Sequence, residues 1–117
     1  MKLVKSFIAV FSLVLFFNLN ASAQTNKTET VKIKTSSVCT MCKATLEKAM
    51  AYEKGVKSSE LDVKTQMLTV TYRTDKTNFE NILKAVTATG YDADQLPADP
   101  RAYERLNECC KKDKGIH

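Results

Sequence analysis

"TVKIKTSSVCTMCKATLEKAM", residues Thr30 to Met50, decides the fold because its period changes in the middle. Up to Thr35 the chain alternates, with Val31, Ile33 and Thr35 on one side and Lys32 and Lys34 on the other. Period two with β-branched residues predicts a half-buried strand. Further on, Leu46, Ala49 and Met50 recur at i, i+3 and i+4, the spacing of one helical face, and Gly55 supplies a stop. Cys39 and Cys42 fall where one period gives way to the other, on the loop from strand to helix, with Cys42 in the helix's first turn.

Downstream the same two periods repeat. Leu61 and Val63 alternate with Asp62 and Lys64; Leu68, Val70 and Tyr72 alternate with Thr69, Thr71 and Arg73. Two strands joined by a short turn near Lys64–Gln66 form an antiparallel hairpin. Phe79, Ile82, Leu83 and Val86 then make a helical stripe, capped by Thr77 or Asn78 and ended by Gly90. "YDADQL", Tyr91 to Leu96, reads as a last short strand before Pro97. The order β-α-β-β-α-β is the ferredoxin-like arrangement, an α+β sandwich of one antiparallel sheet with two helices on one face. Tyr52, Tyr72 and Phe79 are expected in the core or at its edge. The remainder, "ADPRAYERLNECCKKDKG", predicts a C-terminal helical tail with Asp99 as N-cap and Pro100 in the first helical position. On that helix Tyr103, Leu106 and Cys110 share a face, and Cys109 lies nearer solvent.

The first residues follow a different logic. Lys2 and Lys5 precede an apolar run, Phe7 to Phe17, and Ala21 and Ala23 precede Gln24. This is the layout of a secretory signal peptide over 1–23, leaving a domain over 24–96 and the tail over 97–117. The run falls short of the ~20 apolar residues that span a bilayer, so no stable membrane insertion is expected after cleavage. The expected location is periplasmic or secreted. The net charge of +5 includes Lys2 and Lys5, and no arginine cluster with interleaved aromatics accompanies it, which excludes a nucleic-acid partner. No nucleophile with a histidine base, no carboxylate pair and no phosphate loop is present, so a binding protein is expected and not an enzyme. Asp92 and Asp94 read as solvated charges, and His117, at the chain end, as frayed.

By themselves Cys39 and Cys42 admit three readings: a disulfide staple, a thiol–disulfide redox couple, or paired thiolates for a metal. A staple across so short a loop removes little entropy from the unfolded chain. Redox pairs of the thioredoxin type carry tryptophan and proline around the motif; this chain has no tryptophan, and Lys43 follows Cys42. The free N–H groups and positive dipole end of a helix favour thiolates beside them. Soft sulfur ligands select thiophilic ions such as Cu(I) over Mg²⁺ or Ca²⁺, and the loop's place at the domain edge makes the sulfurs reachable. Cys109 and Cys110 form a second pair. A vicinal disulfide is strained, whereas two thiolates can reach one large soft ion, so the pair is an auxiliary metal handle or simple packing.

From Thr30 to Asp94 the chain resembles a heavy-metal-associated domain, as in small copper chaperones and mercuric-ion-binding periplasmic proteins. The resemblance rests on Cys39-x-x-Cys42, "TLEKAM", "GVKSSELDV", "LTVTY" and "ATGYDA". It implies the β-α-β-β-α-β fold, binding of Cu(I) or Hg(II) between Cys39 and Cys42, and ligand exchange with a metal transporter or acceptor protein. Zn²⁺ or Cd²⁺ would use four ligands. Tyr91 matches a position that packs beside the metal loop. The family's G-M-x-C-x-x-C is altered here, with Ser36-Ser37-Val38 before Cys39. Met41 then either shields the site or offers a thioether.

Overall fold

The computed structural model describes residues 27–117; the leader expected over 1–23 lies outside them. Three strands, β1 (Thr28–Lys34), β2 (Val56–Asp62) and β3 (Met67–Arg73), form one antiparallel sheet in the order β1-β3-β2. Helix α1 (Thr40–Tyr52) joins β1 to β2, and α2 (Phe79–Ala88) follows β3. The turn between β2 and β3 is closed by Asp62, whose carboxylate accepts from the Lys64 and Thr65 amides at 3.0 and 3.4 Å.

The alternation read from the sequence is the alternation of the sheet. Ile33, Leu61, Leu68, Val70 and Tyr72 are buried on one face, while Lys32, Glu60 and Asp62 are exposed or nearly so on the other. Register aligns the apolar set: Ile33 and Leu61 both lie opposite Leu68 on the central strand. Leu46 and Met50 of α1 and Ile82 and Val86 of α2 close over that face, so both helices lie on one side of the sheet. Asn78 caps α2, its side chain accepting from the Asn81 amide at 2.8 Å.

Three expectations are corrected. The segment Tyr91–Leu96 is not a strand; it keeps only isolated bridges, Thr35 with Ala93 and Ala93 with Leu96. Asp94 takes φ +50, and its carboxylate accepts from the Lys34 amide at 2.8 Å while its own amide donates to the Lys34 carbonyl at 2.8 Å. That left-handed residue turns the chain before a ladder can extend. Tyr52 is 83% exposed, because it lies two residues, about 200°, round α1 from Met50, the buried residue of the same last turn. The tail is no continuous helix. Helix α3 (Pro100–Glu104) is followed by two 3₁₀ turns, Glu108–Cys110 and Lys112–Lys114, and Asp99 makes no side-chain cap bond. Without helical continuity from Tyr103 to Cys110, the shared face inferred for Tyr103, Leu106 and Cys110 does not exist, although Leu106, Cys109 and Cys110 all pack on the core.

Candidate metal centre

The loop Thr35–Cys39 is held by polar ties on three sides. Thr35 donates its amide and hydroxyl to the Gln66 carbonyl, each at 2.9 Å, and Gln66 Nε2 donates to the Ser37 carbonyl at 2.8 Å. Ser36 Oγ accepts from the Asp92 amide at 2.8 Å. Ser37 is fully buried and its hydroxyl lies 2.8 Å from Thr35 Oγ1. A small polar residue is tolerated at this interior position because its hydroxyl is satisfied. Val38 supplies the buried apolar group.

Cys39 is the N-cap of α1 and makes no side-chain cap bond, which leaves the first amides of the helix free of a side-chain acceptor from that position. Cys42 sits one turn in. The two sulfurs are 3.4 Å apart and all four cysteines are free thiols. The structure corrects one expectation sharply: these sulfurs are not reachable from solvent. Cys39 is 6% exposed and Cys42 is 0% exposed. What covers them is the tail. Cys110 Sγ lies 3.8 Å from Cys39 Sγ, and one sulfur each from Cys39, Cys42 and Cys110 all fall within 4.8 Å of one another. Cys110 is itself 3% exposed. Burial, then the neighbouring thiols of Cys42 and Cys39, push the Cys110 thiol well above its usual range, so it is a neutral thiol in the metal-free protein.

The tail is fastened around this cluster. The Asp99 amide donates to the Thr87 carbonyl at 3.0 Å, and the backbone of Ala102 and the side chain of Leu106 close over Gly90. Lys112 Nζ reaches Asp92 Oδ2 at 3.0 Å, and the Ala98 amide donates to Asp92 Oδ1 at 2.8 Å. Partial burial pushes the Asp92 carboxyl up, but the Ala98 amide and the Lys112 ammonium outweigh it and hold the group below the usual carboxylate range. Asp92 is therefore a tie between core and tail, not a loose surface charge. At the end of the chain the His117 amide donates to the Val38 carbonyl at 2.7 Å.

A second, outer group lies next to the buried one. Cys109 is half-buried, 3.9 Å from Cys110 Sγ and 3.9 Å from Met41 Sδ, and Met41 is 47% exposed. Cys39, Cys109 and His117 also bring one ligand atom each within 4.8 Å of one another. Sequence reasoning read His117 as frayed; no local pattern signals that the last residue folds back onto the loop at Val38. Tyr91 completes the site from below. Its ring is fully buried and its hydroxyl, beside the Cys42 and Cys110 thiols, lacks a hydrogen-bond partner. Burial first, and those thiols second, push the phenol far above its ordinary range, so Tyr91 stays a donor.

Comparison with known proteins matches this architecture. The model of the heavy-metal-associated domain fits residues 35–92. A mercuric transport protein periplasmic component from Shewanella putrefaciens is 34% identical over 84 residues, covering 72% of this chain and 90% of the relative. Among solved structures, oxidised MerP from Ralstonia metallidurans CH34 is 28% identical with a TM-score of 0.54, over 56% of this chain and 93% of its own. The CopZ metallochaperone shares the fold at a TM-score of 0.54 and 23% identity, over 56% of this chain and 98% of its own. This chain belongs to the heavy-metal-associated domain family.

Proposed function

We propose that the protein binds a soft heavy-metal ion through Cys39 and Cys42 and passes it to a transporter or acceptor protein by ligand exchange, outside the cytoplasm. The observation that carries the reading is the pair of free sulfurs, 3.4 Å apart, at the N-terminus of α1. Sulfur ligands so placed select thiophilic ions, Cu(I) or Hg(II), over hard cations. The Shewanella relative, named as a periplasmic component of mercuric transport, supports both the class of cargo and the location. So does the signal-peptide pattern of residues 1–23. Among residues 27–117 no helix is long and apolar enough to cross a membrane. Thiol–disulfide exchange, the alternative open at the level of the sequence, gains no support from the relatives.

Titration of the reduced protein with Hg(II) and with Cu(I), each against a competing chelator, tests the reading. One ion is expected to bind tightly per chain, and Cys39→Ser or Cys42→Ser is expected to weaken it by at least a factor of about 100, since each removes a ligand outright and outer-shell losses alone cost ~10–100-fold. Both sulfurs are buried, so each variant is also expected to lose roughly 1–3 kcal/mol of stability. Wild-type affinity in either folded variant would overturn the paired-thiolate reading.

A further inference from the structure

Three sulfurs, not two, converge in the interior, and the third comes from the tail. Cys110 Sγ stands 3.8 Å from Cys39 Sγ, Cys39 Sγ stands 3.4 Å from Cys42 Sγ, and no pair among the three exceeds 4.8 Å. Metal–sulfur bonds of about 2.3 Å place the sulfurs of a planar three-coordinate ion about 4 Å apart, and those of a linear two-coordinate ion about 4.6 Å apart. The observed spacings, 3.4 and 3.8 Å, are shorter than either and lie nearer the three-coordinate figure, so the three sulfurs are already gathered around one point. A second observation points into the same cage. Tyr91 is fully buried, and its hydroxyl, beside Cys42 and Cys110, has no acceptor. An unpartnered buried hydroxyl costs about 1–3 kcal/mol. A thiolate is a far better acceptor than a thiol, so an ion that converts these thiols into thiolates also gives Tyr91 its partner.

We infer that Cys39, Cys42 and Cys110 form a three-thiolate site for Hg(II), with the tail as the lid that contributes its third ligand. The inference rests on the proposed metal-binding role of Cys39 and Cys42 and extends it. Charge favours the divalent ion. Three thiolates around Hg(II) leave one net negative charge in a buried site, and around Cu(I) they leave two; the cost of burying charge rises with its magnitude. The N-terminus of α1 offsets part of the single charge. Zn²⁺ seeks four ligands in a tetrahedron, and the fourth cysteine, Cys109, although within 4.8 Å of Cys39, is only half-buried and stands outside the buried set of three. On loading, each thiol gives up its proton to solvent as its sulfur–metal bond forms, so binding releases up to three protons and no electrons move.

The test is X-ray absorption at the mercury edge on the purified, reduced protein loaded with one equivalent of Hg(II), together with competition by a small dithiol. Three sulfur neighbours are expected in the wild-type protein and in Cys109→Ser, and two in both Cys110→Ser and Cys110→Ala, with far-ultraviolet circular dichroism verifying the fold. Affinity is expected to fall by roughly tenfold or more in the Cys110 variants, at least the loss typical of an outer-shell partner. Two sulfurs in the wild-type protein, or three retained in both Cys110 variants, would overturn the third-ligand assignment while leaving the paired site intact. A drop to two in Cys109→Ser would move the third ligand to Cys109 and overturn the assignment to Cys110. Failure of the wild-type protein to bind at all would overturn the paired site and the cage together. Loss of binding in Cys39→Ser with wild-type affinity in Cys110→Ser would keep the paired site and overturn the third ligand.

Discussion

At the residue scale, Tyr91 is the most informative side chain in the molecule. A tyrosine with its hydroxyl buried and unpaired is a local expense that a phenylalanine would not incur. Tyr91→Phe is therefore expected to raise the stability of the metal-free protein by about 1 kcal/mol, seen as a higher urea midpoint, and to weaken binding of Hg(II) several-fold. Opposite signs in the two measurements are the signature of a donor that acts only on the loaded site; loss of stability in both would make Tyr91 a packing residue. Cys39, Cys42 and Tyr91 were all legible in the sequence, the cysteines from their spacing and Tyr91 through the family resemblance. The burial of the two cysteines was not. Solvent exposure was inferred from a loop at the domain edge, and nothing in the local pattern says that Cys110 and the backbone of His117 cover it.

At the element scale, strands and helices with clean periods were readable, and elements set by single tertiary contacts were not. β1, the β2–β3 hairpin and α2 follow their apolar spacing. The segment after Gly90 has strand-like composition, yet the left-handed Asp94 and its paired bonds with Lys34 fold it into a turn. The tail has helix signals that carry only through Glu104. Gly90 is where domain and tail meet. It takes φ +106, and a Cβ there would stand 2.9 Å from the Ala102 carbonyl oxygen. Gly90→Ala is expected to cost about 2 kcal/mol, combining left-handed strain of ~1–2 kcal/mol with displacement of the tail, and to speed hydrogen exchange at the Tyr103 and Cys110 amides more than in β3. The Asp92–Lys112 tie adds a pH dependence. The folded-state pKa of Asp92 is depressed, so its contribution is complete above the ordinary aspartate range, near 4, and is lost as pH falls through the lower folded value. Tail amides of the metal-free protein are expected to lose protection at such acid pH. Asp92→Asn should show that loss already at neutral pH, and unchanged exchange in that variant would remove Asp92 from the tail's attachment.

At the scale of the whole molecule, the site is assembled by chain closure. Cys39 and Cys110 meet across 71 positions of sequence, so the sulfur cluster exists only when the sheet has formed and the tail has docked on it. The sequence offers Cys109 and Cys110 as an auxiliary metal handle but does not show which of them meets Cys39, because the contact is made by 3₁₀ turns without a periodic face to reveal it. Closure also bears on the proposed transfer, since an ion held by three buried sulfurs would be hidden from an acceptor protein, and its release would require the tail to lift. The tail is held by hydrogen bonds such as His117 to Val38, Lys112 and Ala98 to Asp92, and Asp99 to Thr87, and by the packing of Leu106 and Cys110 on the core. Local opening of such a segment costs less than global unfolding. Thiol alkylation of the reduced, metal-free protein, followed by peptide mass spectrometry, reads this opening residue by residue. Cys109, half-buried, is expected to react first, with Cys39, Cys42 and Cys110 slower by about tenfold or more, each factor of ten marking ~1.4 kcal/mol of tail opening. The three slow sites are expected to accelerate together in Gly90→Ala, since one motion exposes them all. Equal rates for all four cysteines in the wild-type protein would mean that the tail does not cover the site in solution, and independent acceleration of single sites would mean that it does not move as one lid.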